Sequence, residues 1–169
     1  MGLSFLASSE QTLEVVVTCD PSVECTDEER SQYLDTGDML HLKLGDGATT
    51  FTLKALSPAE REQAEIRAGA MTRSELGRLL WSEAPDDLRE KAKWHHKLSD
   101  DEREAMSQYQ QYLNNVYNEM IRASLVSIDD VDATLEQLQM IRPESHRVQT
   151  ISELVLHIQR ISLLGDQGK

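Results

Sequence analysis

Met39-Leu40-His41-Leu42-Lys43-Leu44-Gly45-Asp46-Gly47-Ala48-Thr49-Thr50-Phe51-Thr52-Leu53-Lys54-Ala55-Leu56-Ser57-Pro58-Ala59-Glu60 sets two strand patterns and a helix start end to end. Leu40, Leu42 and Leu44 alternate with His41 and Lys43, and Phe51, Leu53 and Ala55 alternate with Thr50, Thr52 and Lys54. A period of two puts the apolar set on one face of a strand and the polar set on the other. Gly45-Asp46-Gly47 between them supplies residues tolerant of positive φ, so the stretch is expected to form a β-hairpin. Ser57-Pro58-Ala59-Glu60 then combines an N-cap Ser, Pro at the first helical position and Glu at the third, the reciprocal capping box of a helix start. A one-sided sheet needs helices on its apolar face.

Working back from this junction, Glu14-Val15-Val16-Val17-Thr18 is β-branched and reads as a further strand. The segment 20–38 carries seven acids (Asp20, Glu24, Asp27, Glu28, Glu29, Asp35, Asp38) against one Arg. It is expected to be an acidic loop, with room for a short helix over 27–34 behind the capping box of Thr26 and Glu29.

Working forward, helices follow one another. The first is expected to reach Gly69–Met71. A second starts at Thr72-Arg73-Ser74-Glu75, carries Leu76, Leu79 and Leu80, and breaks at Pro85. A third opens at Asp86-Asp87 with Leu88, Ala92 and Trp94. Ser99-Asp100-Asp101-Glu102 caps a long helix in which Met106, Tyr109, Leu113, Val116, Met120 and Ala123 recur at spacings of three and four, an amphipathic stripe. Ser127-Ile128-Asp129-Asp130 is expected to mark a turn and a new helix start, with Val131, Leu135 and Leu138 inside the helix, ended by Arg142-Pro143. The last helix bears Val148, Ile151, Leu154, Val155, Ile158 and Ile161 and stops near Gly165. The fold class expected is therefore α+β: a β-rich region over 1–56 with its acidic loop, packed on a helical region over 57–169.

The chain has 169 residues and a net charge of −13, with 28% charged residues. That charge disfavours direct contact with nucleic acid or an anionic membrane. The two cysteines, Cys19 and Cys25, make no disulfide framework. The N-terminus lacks the basic and apolar regions of a secretory signal, and no apolar run is long enough to span a bilayer. The expected location is a reducing cytoplasm.

Chemistry is sparse. Gly45-Asp46-Gly47 lacks the Lys-Ser/Thr continuation of a phosphate loop, and no Gly-x-Ser-x-Gly elbow is present. His95 and His96 are adjacent, so on a helix they diverge by about 100° rather than share a face as zinc ligands do. They could bind metal only singly, joined by Cys19 and Cys25. Asp129, Asp130 and Asp132 resemble part of a calcium loop but lack its Gly and closing Glu, and are read as helix-start acids. No cofactor and no enzymatic activity are expected. Trp81 and Trp94 flank the Pro85 break and are expected to be buried against the sheet, with partner anchoring the alternative. The long-helix stripe serves either as core or as interface, since Tyr112, Tyr117 and Ile121 add apolar area on an adjacent face.

Phe51-Thr52-Leu53-Lys54-Ala55-Leu56-Ser57-Pro58-Ala59-Glu60-Arg61 resembles the N-terminal block of tail assembly chaperones of long-tailed phages and prophages, where an aromatic–x–Leu–basic–x–Leu strand enters a capped, charged helix. Tyr117-Asn118-Glu119-Met120-Ile121-Arg122-Ala123-Ser124-Leu125-Val126 is similar to their mid-chain helix, and Leu3-Ser4-Phe5-Leu6 is a weaker echo. The resemblance implies a non-enzymatic protein that binds the tape-measure protein, keeps it soluble during tail assembly and works in the host cytoplasm. The partner-binding residues would be Met106, Tyr109, Leu113, Val116, Met120, Ile151, Val155 and Ile158, on stripes partly exposed in the free chain. Glu24, Asp27, Glu28 and Glu29 of the acidic loop form the other candidate docking surface, and self-association is a further option. The alternatives are a structural or adaptor subunit of a phage particle and an acidic inhibitor that imitates nucleic acid.

Overall fold

The computed structural model describes residues 11–69 and 75–164. In chain order the elements are β1 (Thr12–Val15), β2 (Val23–Glu24), α1 (Asp27–Thr36), a 3-10 turn (Met39–His41), β3 (Lys43–Leu44), β4 (Phe51–Lys54), α2 (Pro58–Arg67), α3 (Glu75–Glu83), α4 (Leu88–Lys97), α5 (Asp100–Ser124), β5 (Leu125–Ile128), β6 (Val131–Asp132), α6 (Leu135–Gln139) and α7 (Glu144–Leu164). The fold is α+β. The expected echo at Leu3–Leu6, the start at Thr72-Arg73-Ser74 and the stop near Gly165 lie outside the described residues.

The chain divides into two compact units. One comprises 1–63 and 117–169, the other 64–116. This differs from a β-rich region followed by a helical one, because β5, β6, α6 and α7 return to the unit that begins the chain. The division falls within α2 and within α5.

In the first unit a four-stranded antiparallel sheet runs in the order β1-β4-β5-β6, and β2 pairs with β3 in a separate two-stranded ribbon. The expected hairpin over 40–55 is therefore corrected: β3 and β4 belong to different sheets. β4 pairs instead with β1, Val15 opposite Phe51, and with β5, Phe51 opposite Ile128. The reason lies upstream of the turn. Asp38 accepts from Leu40 N at 2.9 Å and tightens 39–41 into a 3-10 turn, so the Leu40-Leu42-Leu44 alternation never becomes a strand face. Leu42 is buried, whereas Leu40 is 90% and Leu44 45% exposed. Gly45-Asp46-Gly47 does turn the chain, with Ala48 N on Gly45 O at 3.3 Å and Gly47 at φ +94°, but it carries the chain from the ribbon to the sheet.

The hairpin of this sheet is β5–β6: the expected turn at 127–130 is present, but it joins two strands instead of starting a helix. Asp129 and Asp130 have φ of 50° and 62°, the two left-handed residues that a tight two-residue turn demands. Asp tolerates this region because its short side chain bonds locally or nearby. Here Asp129 Oδ1 accepts from Thr50 N at 2.8 Å while Asp129 N donates to Thr50 O at 2.8 Å, fixing the tip to the entry of β4. Leu135 and Leu138 are buried as expected of core residues, but on the short α6; Val131 is on β6 and exposed.

Capping boxes place the helices. Thr26 with Glu29, Ser57 with Glu60, and Ser99 with Glu102 each make both reciprocal bonds. The backbone N–H groups they accept hold the carboxyls of Glu29, Glu60 and Glu102 below the usual range. The acidic segment is thus mostly α1, with Asp27, Glu28 and Glu29 in its first turn, where the helix dipole favours negative charge.

α7 packs on β1, β4, α1 and α6 and supplies much of the first unit's core through Leu154, Val155 and Ile158. A second cluster joins Val16, Val23, Tyr33 and Leu42. In the second unit the core is Leu80, Leu98 and Met106, with Trp94 against it, so Trp94 packs among helices.

Candidate functional site

The groups best placed to act fall in four places: a polar cluster on α7, a cavity, the first turn of α1, and a groove in the second unit.

The cluster is built from α7 residues four apart. Glu153 is 2% exposed and fully used: its two oxygens accept from Thr18 N at 2.7 Å, Thr18 Oγ1 at 2.6 Å, Arg30 Nη2 at 3.0 Å and Gln149 Nε2 at 3.0 Å. One turn on, His157 is wholly buried, its ring 4.9 Å from that of Tyr33, with neither nitrogen hydrogen-bonded. Burial, then the neighbouring Arg160 charge, depress its pKa to about 4. The Tyr33 hydroxyl is pushed up to about 12 by burial. Arg160 Nη1 donates to the carbonyls of Tyr33 and Leu34 at the end of α1. Glu153 and Tyr33 tie the fold together through their hydrogen bonds, and the side chains of Glu153, Tyr33 and His157 are all buried.

The cavity, of about 400 Å3, is bordered by Phe51 and Ile128 of the sheet and by Leu138, Ile141 and His146 of the α6–α7 region. Cys19 also lines it, 3.4 Å from Thr150 Oγ1, and burial pushes its thiol pKa up, away from the reactive thiolate. Both cysteines are free. Among the described residues no three or more His, Cys, Asp or Glu side chains are grouped to hold a metal. His95 and His96 are exposed in the last turn of α4, where positive charge suits the helix dipole.

The acidic candidates are dispersed in role. Glu24 pairs with Lys43 at 2.7 Å across the β2–β3 ribbon, and Glu29 closes its capping box. Asp27 and Glu28 remain exposed at the start of α1.

The two apolar stripes, expected to be partly exposed, are mostly buried. Met106, Val116, Met120, Val155 and Ile158 are buried, because these faces of α5 and α7 are the ones the cores require. Tyr109, Leu113 and Ile151 stay half-buried.

Tyr109 and Leu113, with Tyr112 and Val116, line a groove of about 460 Å3 in the second unit, opposite Glu75 and Arg78 of α3. Gly77 makes this arrangement possible, since a Cβ there would meet the Ala105 carbonyl of α5. An aromatic series borders the groove. Trp81 meets Tyr109 edge-on at 6.3 Å, Tyr109 stacks on Tyr112 at 6.3 Å, and Lys91 Nζ lies 5.1 Å over the Trp81 ring. Leu76 and Leu79 of α3 are 44% and 51% exposed.

Sequence reasoning missed this grouping of Trp81 with Tyr109 and Tyr112. The signal was present as the i, i+3 pair Tyr109/Tyr112, but the partner on α3 is set by tertiary packing. It also missed Leu156 and Leu163, 46% and 51% exposed on α7, since a helix apolar on most of its circumference hides which leucines face outward.

Among the described residues no helix is long and apolar enough to cross a membrane. Comparisons of the chain with protein-family models, with curated proteins and with solved structures return no match.

Proposed function

We propose that this chain is a non-enzymatic assembly chaperone of the long-tailed phage type, which binds the tape-measure protein and keeps it soluble while the tail is built. The observation that carries the reading is the aromatic-bordered groove of the second unit. The chain has only two Trp, four Tyr and two Phe. Three of these eight, Trp81, Tyr109 and Tyr112, adjoin one groove, with Leu113 inside it and Leu76 and Leu79 exposed on the same α3. Aromatic and leucine anchors beside a concave surface suit an amphipathic helix laid in a groove. A tape-measure protein, long, helical and poorly soluble alone, offers such helices. The net charge of −13 keeps a complex of this kind dispersed.

Imitation of nucleic acid draws less support, because Glu24 and Glu29 are committed to Lys43 and to a helix cap. The test is co-expression of the full chain with the tape-measure protein of the same genome. A soluble complex that co-elutes in size exclusion, and is lost in Leu113→Asp, supports the reading. A tape-measure protein that stays insoluble, with no association, overturns it. Mass spectrometry of purified particles separates a chaperone, absent from them, from a structural subunit present in fixed number.

A further inference from the structure

The cavity of the first unit joins an apolar floor to a cation that no carboxylate matches. Val17, Phe51 and Leu138 border it and are buried, and Ile128 and Ile141 join them. Its volume of about 400 Å3 is that of a small-molecule site, and such sites are likewise mostly apolar with a few placed polar groups. Arg142 and His146 border the same cavity. The chain carries 30 acids against 17 Lys and Arg, so a cation ordinarily finds a carboxylate. Arg30, Lys43, Lys54, Arg122 and Arg147 of the first unit each face a glutamate. Arg142 and Arg160 face carbonyls instead, and of these two it is Arg142 that borders the cavity.

We propose that this cavity binds a small organic monocarboxylate, with its apolar body against Val17, Phe51 and Leu138 and its carboxylate on Arg142. The guanidinium selects the head group. Arg142 Nη1 donates to Gln139 O at 3.1 Å and to Ile141 O at 3.0 Å, which anchors it at the end of α6. Its Nε and Nη2 bond to none of the described residues. Together they form the side edge of the guanidinium, two parallel N–H groups at the spacing of the two oxygens of a carboxylate. The His146 ring has no hydrogen bond among the described residues either, and supplies a second donor. The sign of the ligand follows from Asp20, the carboxylate that borders the cavity. Its two oxygens already accept from Ser22 N and Thr49 N, each at 2.8 Å, so a cationic ligand finds that carboxylate engaged while an anionic one finds Arg142 open. A ligand so held touches the segment after β1, the sheet and the α6–α7 corner at once, and its binding stabilises the first unit. The proposal stands independently of the tape-measure reading, which uses α3 and α5.

Isothermal titration of the full chain with octanoate tests it, with octan-1-ol and octylammonium as comparisons that keep the body and change the head. Octanoate should saturate at one molecule per chain and raise the melting temperature. Octan-1-ol and octylammonium should bind the wild type about tenfold more weakly or worse, the loss of a charge-assisted pair of hydrogen bonds. Arg142→Gln, at an exposed position, should weaken octanoate by about the same factor with unchanged circular dichroism, and leave octan-1-ol as it was. Backbone amide shifts on adding octanoate should centre on Phe51, Ile128 and His146. The absence of saturable octanoate binding overturns the proposal. So does octan-1-ol or octylammonium binding as tightly as octanoate, an Arg142→Gln protein that binds octanoate like the wild type, or shifts centred on Tyr109 and Leu113 of the second unit.

Discussion

The Tyr33 hydroxyl closes the edge of the sheet at Val16: it donates to Val16 O at 2.9 Å and accepts from Val16 N at 3.0 Å. Val16 directly follows β1, whose outer side has no neighbouring strand among the described residues. One phenol therefore does for a single residue what an adjacent strand does for a ladder. Val16 is 1% exposed, so both groups would otherwise be buried and unpaired.

Tyr33→Phe keeps the ring against His157 and removes only the hydroxyl. Leaving a buried N–H and C=O unpaired should cost about 2–4 kcal/mol. Urea denaturation measures this as a lower midpoint at unchanged slope. A midpoint equal to the wild type would show that Val16 finds other partners.

Glu153 ties the segment after β1 to α7 and α1 through Thr18 and Arg30. Glu153→Ala strands the Thr18 amide and removes the partner of Arg30, whose side chain is 39% exposed and so rehydrates in part. The expected loss is about 3 kcal/mol. Protection of Thr18 against amide hydrogen exchange should fall well before that of α5.

His157 gives the fold a defined response to acid. Its folded pKa, about 4, lies below the ordinary 6.5. Above pH 6.5 neither state binds the proton and the contribution is constant. From pH 6.5 down to 4 the unfolded chain binds a proton that the folded chain does not, so stability falls with pH by about 3 kcal/mol in all. His157→Leu removes the histidine's share of the slope and spares the two unpaired ring nitrogens, so at about pH 7 it should be no less stable than wild type. Parallel denaturation series from about pH 7 to about pH 4 compare the two; equal slopes would exclude His157 as the source.

Much of this is legible in the sequence, and what is hidden has a common cause. The capping boxes of Thr26, Ser57 and Ser99 are each contained within a single turn, so the sequence displays them whole. Strand pairing is not local. Phe51 to Lys54 sits close to Lys43-Leu44 in sequence, yet its partners begin at Thr12 on one side and end at Ile128 on the other. Nothing in the alternation of Leu40, Leu42 and Leu44 announces that Asp38 will coil the chain first. Asp129-Asp130 reads as a turn but not as a hairpin, because Asp serves equally as a helix-start acid and as a left-handed residue. The stripes of α5 and α7 are apolar as the periodicity requires, but periodicity does not say which of two apolar faces is claimed by the core.

Gly77 offers a prediction with two opposing contributions. Gly77→Ala in mid-helix gains about 1 kcal/mol of intrinsic helix preference. The added Cβ, however, meets the Ala105 carbonyl and lies 2.9 Å from Tyr109 Cβ, and a helix backbone cannot yield as a side-chain tip can. Overpacking of this kind costs about 1–3 kcal/mol and should win. Amide exchange across 75–116 should accelerate, and Trp81 fluorescence should shift as its contact with Tyr109 opens. Unchanged exchange would mean that α3 and α5 already lie further apart.

The interleaved course of the chain dictates an order of events during synthesis. Residues 64–116 are contiguous, so that unit is complete while the ribosome is still making the rest. The other unit is split across the message. Thr18 waits 135 residues for Glu153, and Leu56 waits 106 for Ser162. Until α7 emerges, β4 has its early neighbour and Val16 its Tyr33, but Thr18 lacks Glu153 and the sheet lacks Leu154, Val155 and Ile158, and an incompletely covered sheet is where chains aggregate. A stop codon placed before Glu144 should therefore yield an insoluble product that still contains an intact second unit, and restoring the last helix in trans is the natural attempt at rescue.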